Sequence, residues 1–103
     1  MKNGLALVIA ASVLGLAASG SAIAADASAG KAKAGTCIAC HGANGISPMD
    51  LYPNLAGQKA GYLVKQMKAF KDGSRKDPTM NAMVAALNDD DIANIAAFYA
   101  EMK

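Results

Sequence analysis

Cys37-Ile38-Ala39-Cys40-His41 holds both cysteines and the single histidine of the chain within five consecutive residues. Cys-x-x-Cys-His is the pattern for covalent attachment of a c-type haem. On a helix end Cys37 and Cys40 share a face, so their thiols can reach the two vinyl groups of one porphyrin. His41 falls on that same side, where a neutral imidazole can ligate iron as the proximal ligand. Two other readings of the motif stand beside this one. A thioredoxin-like Cys-x-x-Cys should follow a strand and open a helix, whereas this motif ends a predicted helix with no βαβ pattern around it. A zinc site would need a fourth ligand, and no other Cys or His exists, although an Asp could serve.

The chain has 103 residues, enough for one small domain. Its N-terminus shortens that further. Lys2 supplies a positive n-region, Leu5 to Leu16 is a compact apolar h-region, and Ala22-Ile23-Ala24 satisfies the A-x-A cleavage rule. Residues 1–24 are therefore expected to be a cleaved signal peptide, and 25–103 a single mono-haem domain exported to the periplasm. The competing reading is an uncleaved anchor, since no charge occurs from Asn3 to Ala25. The Ala, Ser and Gly content of its second half favours the signal, and no stable membrane insertion is expected after cleavage.

A domain of that size buries little surface and often needs a staple. Cys37 and Cys40 lie too close to close a useful disulfide loop. A covalently held haem c would supply the missing core. Ten basic residues against eight acidic ones, with Lys2 lost on cleavage, leave a nearly neutral protein. That argues against a nucleic-acid partner.

After Ala25 no strand signal appears, while alanine is abundant, so the domain is expected to be all-α. A first helix is predicted from about Ser28 to Cys40, with Asp26 or Ser28 near its cap. Gly30 inside it suggests close approach of another helix. Gly42 to Gly57 is a breaker-rich loop. A second helix, about Lys59 to Lys71, carries the stripe Leu63, Met67 and Phe70 and stops at Gly73. Ser74 to Thr79 is polar and interrupted by Pro78. A short helical segment should cover Met80 to Leu87. The last helix starts at Asn88, with Asp91 completing a variant capping box. Its apolar face is Ile92, Ile95, Ala96, Tyr99 and Met102.

The sixth iron ligand cannot be a second histidine. Methionine is the natural candidate, because a thioether suits low-spin iron and raises its potential. Met1 leaves with the signal, and Met67 and Met102 belong to apolar helix faces. Met49, Met80 and Met83 remain. Met49 sits in the loop leaving the proximal side, whereas Met80 and Met83 are far enough along to cover the other face.

The ordered series of short motifs resembles a family. It comprises Ala29-Gly30-Lys31, Cys37 to Gly42, Pro53-Asn54-Leu55-Ala56-Gly57-Gln58, Tyr62-Leu63, Met80-x-x-Met83-x-x-x-Leu87, and Asp91 to Tyr99. It covers nearly all of Ala25 to Lys103 and is similar to the class I c-type cytochromes, within them the small bacterial cytochrome c4, c5 and c553 group. The resemblance implies the cytochrome c fold, three main helices plus short segments wrapped around one haem c. It implies Met80 as distal ligand, with Met83 a pocket residue. It implies that the carbonyl of Pro53 accepts the Nδ1–H of His41, and that first and last helices cross at Gly30 and Tyr99.

With both axial positions filled, single-electron transfer between Fe(II) and Fe(III) is the expected chemistry, and no enzymatic activity is expected. Redox proteins are the expected partners, a terminal oxidase or membrane dehydrogenase complex among them. Lys59, Lys65, Lys68, Lys71 and Lys76 would either ring the haem edge and steer such a partner or form a solvated helix face. The alternative to a free carrier is a haem-bearing subunit of a larger oxidoreductase or oxidase. A third reading is a five-coordinate sensor or peroxidase-like protein with Met80 displaced.

Overall fold

Asp26 opens the first helix by accepting hydrogen bonds from the backbone N–H groups of Ser28 and Ala29. A computed structural model of the protein describes residues 24–103. The expected signal peptide therefore lies outside the described residues, Ala24 excepted. Every regular element among those described is helical, in the order α1 (Ala27–Lys33), α2 (Ile38–His41), α3 (Ala60–Asp72), α4 (Pro78–Val84) and α5 (Asp89–Ala100). None is long and apolar enough to cross a membrane.

The first helix is not the continuous one expected from Ser28 to Cys40. After Lys33 the backbone tightens into a 3₁₀ turn over Ala34–Thr36 before α2 begins. The Cys37 N–H bonds the Ala34 carbonyl at 2.8 Å, one residue nearer than an α-helix would use. Ala34 is fully buried in the core beside Leu63, Ile95, Ala96 and Tyr99. Tertiary packing at that alanine and the poor helix propensity of Gly35 both favour the break.

The α1–α5 crossing holds the domain together. A Cβ on Gly30 would lie 1.9 Å from the Asn94 carbonyl oxygen, so only glycine allows the helices to approach this closely. The Asp26 N–H donates to the Asn94 side-chain oxygen at 2.8 Å across the same contact. The expected crossing at Gly30 is thus present, but Gly30 meets the backbone of Asn94 and Ile95. Tyr99 packs further along the interface, in the cluster that includes Ala34.

The second helix agrees with its expected range within a residue and buries Leu63 and Phe70. Met67 packs partly buried against the same core. The expected segment Met80–Leu87 instead starts at Pro78 and ends at Val84. Asp77 caps it through a 3.0 Å bond from the Met80 N–H, and proline fits a first turn, where its missing N–H has no helical partner to lose. The polar stretch read as an interruption is therefore a helix start. In α5 both halves of the Asn88–Asp91 capping box form, at 2.8 and 3.1 Å.

Candidate functional site

The motif folds as one helical turn. The Cys37 carbonyl accepts from the N–H groups of both Cys40 and His41, at 3.3 and 2.9 Å. Gly42 ends the turn at φ 88°, in the region that favours glycine, and a Cβ there would lie 2.0 Å from the Ile46 carbonyl oxygen. The chain then folds back on itself. Leu55 and Ala56 donate to the Gly45 carbonyl at 2.8 and 3.0 Å, and the Ser47 N–H bonds the Asn54 side chain at 2.7 Å. This closure returns Pro53 to His41.

His41 is the only polar or charged residue among the buried ones described, at 6% exposure. Its Nδ1 is 2.8 Å from the Pro53 carbonyl oxygen. A carbonyl only accepts, so Nδ1 carries the proton and donates. The lone pair is then on Nε2, the form of imidazole that binds a metal. His41 lines a cavity of about 410 Å³ together with Cys37 and Cys40.

Both thiols are free and half-buried. Burial pushes the Cys37 thiol up, partly offset by Thr36 and Tyr99. From the other elements Met67, Met80 and Met83 reach the same cavity, with Leu63, Phe70, Val84 and Ile95 supplying apolar wall. Met80 is half-buried, while Met83 is 45% exposed. Met49, at 51% exposure, does not line the cavity. The structure thus brings Cys37, Cys40, His41, Pro53, Met80 and Met83 to one cavity.

Three features suit the cavity to a large apolar disc with a coordinating centre. Its wall is dominated by apolar side chains, the two sulfurs and the imidazole come from one turn, and Tyr99, which lines it, has a buried hydroxyl with no hydrogen-bond partner among the described residues. No group of three or more His, Cys, Asp or Glu among the described residues is placed to hold a bare metal ion. The motif also follows a helix rather than a strand, unlike a thioredoxin-type site.

Sequence reasoning passed over the polar rim. Gln66, Arg75 and Thr79 line the cavity. Arg75 sits over the Phe70 ring at 4.4 Å and donates to Gln66 at 2.7 Å. Asn81 ties its loop down through the Phe70 and Arg75 carbonyls. The available signal was that Arg75 is the one arginine in the chain. Of the five lysines read either as ringing the haem edge or as a solvated helix face, none lines the cavity, whereas Lys33 does. Lys68 pairs with Asp89 at 3.9 Å, and Lys71 bonds the Leu87 carbonyl.

Comparison with known proteins agrees with this geometry. The family model described as Cytochrome c matches residues 17–103. Cytochrome c-554(548) of Halomonas halodenitrificans is 48% identical over 81 residues, covering 76% of this chain and 98% of that protein. Cytochrome c4 of Pseudomonas aeruginosa is 51% identical over 78 residues, covering 76% of this chain but 39% of that one. The crystal structure of reduced recombinant cytochrome c4 from Pseudomonas stutzeri superposes with a TM-score of 0.74 at 42% identity, covering 78% of this chain and 47% of that chain. A thiosulfate dehydrogenase electron acceptor of Thiomonas intermedia is 39% identical over 72 residues, covering 69% of this chain and 33% of that protein. The chain therefore spans nearly all of one relative and under half of the others.

Proposed function

The chain belongs to the cytochrome c family, with covalently bound haem c as its cofactor, and from that premise we propose a periplasmic single-electron carrier. Cys37 and Cys40 would hold the haem through thioethers, and His41 and Met80 would ligate its iron. When bound, the haem iron supplies one-electron exchange between Fe(II) and Fe(III). The protein's part is to hold that centre still. The Pro53 carbonyl fixes the ring of His41 and raises its basicity, as outer partners of metal-binding histidines do. Leu63, Phe70 and Val84 exclude water from the cavity. Asp77, by capping α4, fixes the backbone from which Met80 projects. If His41 and Met80 both ligate the iron, the chemistry the site would supply is one-electron exchange, the work of an electron carrier.

One observation carries this reading. His41 is buried with Nδ1 engaged by Pro53, which leaves Nε2 as the metal-binding nitrogen in a cavity shared with both thiols. The test is an optical spectrum of the purified protein, oxidised and reduced, with and without carbon monoxide. A low-spin spectrum with slow uptake of carbon monoxide supports the carrier. Rapid uptake supports the five-coordinate sensor or peroxidase-like reading instead.

Residues 1–24 act as the signal peptide in this proposal, leaving 25–103 as the mature domain. Mass spectrometry should find a start near Ala25 plus one haem. Partners are redox proteins, including a terminal oxidase or membrane dehydrogenase complex, met through small and brief interfaces.

A second reading has its own support. One relative is named an electron acceptor of thiosulfate dehydrogenase, and Ile38, Ile46, Met49 and Leu51 are exposed apolar side chains on and after the haem-binding turn. Under that reading the domain is a haem-bearing subunit of a larger oxidoreductase. Co-purification with a partner at physiological salt distinguishes it from the free carrier.

A further inference from the structure

Tyr99 is 1% exposed and is one of the two largest fully buried side chains. Its hydroxyl is buried without a hydrogen-bond partner among the described residues. Such a group loses its water and gains nothing in return, so a phenylalanine would fill the same space without that cost. Phe98, the next residue back, shows that the helix already supplies such a ring at 4.9 Å. The hydroxyl makes no hydrogen bond of ordinary geometry among the described residues, and the sulfur of Cys37 is the neighbouring group that could accept one.

Its surroundings narrow the choice. Tyr99 lines the cavity with Cys37, and Cys37 packs against the cluster to which Tyr99 belongs. The two groups are close enough for the Cys37 thiol to perturb the ionisation of the hydroxyl. A free thiol is both a weak donor and a weak acceptor, so the pair has no defined direction. Attachment changes that. The S–H adds across a porphyrin vinyl group, sulfur bonding one carbon and the hydrogen passing to the other as the C=C π bond is consumed, and the resulting thioether sulfur can only accept. The hydroxyl then becomes the one donor of the pair.

We propose that Tyr99 is a positioning residue for the haem, its hydroxyl donating a hydrogen bond to the Cys37 sulfur once that sulfur carries the macrocycle. This rests on the attachment proposed above. The bond fixes the Cys37 side chain and so the seat of the ring. It also turns the positive end of a buried O–H dipole toward the haem. In a dry environment that disfavours the more positive oxidised state, so the hydroxyl raises the reduction potential.

The test uses the haem-loaded protein and Tyr99→Phe, which keeps the ring and removes the donor. Covalent attachment is checked first by acid–acetone extraction, whose failure would sink the haem reading itself and not this bond alone. Given attachment, Tyr99→Phe should lower the reduction potential. In a Cys37→Ala background, where one thioether remains, the same substitution should shift the potential far less. An equal shift in both backgrounds, or none in either, overturns the proposal. Should Cys37→Ala fail to mature, resonance Raman spectra decide the matter. The thioether C–S band should move on transfer to D₂O in the wild type and not in Tyr99→Phe. Identical isotope behaviour in the two proteins would show that the hydroxyl does not bond the sulfur.

Discussion

The Nδ1 of His41 lies 2.8 Å from the carbonyl oxygen of Pro53, joining the haem-binding turn to the far end of the loop that follows it. The loop is held by bonds to the Gly45 carbonyl and the Asn54 side chain, which keep the acceptor beside His41. Pro53→Ala keeps the carbonyl but frees its backbone. Relaxed unfolded-chain entropy should cost about 0.4–1 kcal/mol. A weaker bond to Nδ1 makes His41 less basic, so the potential should rise. Thermal melting and a potentiometric titration of the same variant check both outcomes.

Gly30 offers a sharper test of packing. Alanine at an ordinary helix site gains about 1 kcal/mol over glycine. Here its Cβ would lie 1.9 Å from the Asn94 carbonyl oxygen, an atom that cannot swing aside. Gly30→Ala should therefore destabilise the protein by about 3 kcal/mol, the upper end for overpacking. Urea unfolding followed at the haem absorption measures it.

Asp77 links stability to the distal side. Its carboxylate accepts the Met80 N–H at 3.0 Å, at the start of the helix that carries Met80. Asp77→Ala should cost about 1 kcal/mol, the usual loss for a cap. It should also speed carbon monoxide uptake by the reduced protein, because the first turn of α4 frays. Asp77→Asn, which keeps an acceptor, should restore both. Stopped-flow mixing gives the rates.

Tyr99 sets the alkaline limit. With Cys37 as a free thiol its ionisation is pushed from 10.0 up to about 12, first by burial and then by Cys37, and the burial cause persists once Cys37 is a thioether. The unfolded chain loses this proton near the lower value and the folded one near the higher. The contribution is full below about pH 10 and is lost as pH rises toward 12, since the unfolded state then binds fewer protons. Melting temperatures across that window should fall less steeply for Tyr99→Phe than for the wild type.

Much of this was readable in the residues. The capping box at Asn88 and Asp91, the stripe of Leu63, Met67 and Phe70, and the glycine at the helix crossing are local or periodic signals. The break between α1 and α2 was not, because it follows packing of Ala34 against α5, which no local pattern encodes. Asp77-Pro78 misled for another reason. The same pair serves a turn and a helix start, and only the bond from Met80 to Asp77 distinguishes them. At the site, spacing brought out the turn from Cys37 to His41 and left several methionines open. The cavity contacts of Arg75 and Gln66 arise from a loop tied back by Asn81, a long-range contact without a motif.

The central claim is that His41 and Met80 hold the iron between them. The far-red thioether-to-ferric-iron absorption band of the oxidised protein tests it most directly, compared among wild type, Met80→Ala and Met83→Ala. The band is expected in the wild type and in Met83→Ala, and should be lost in Met80→Ala. A band that survives in Met80→Ala and vanishes in Met83→Ala would contradict it.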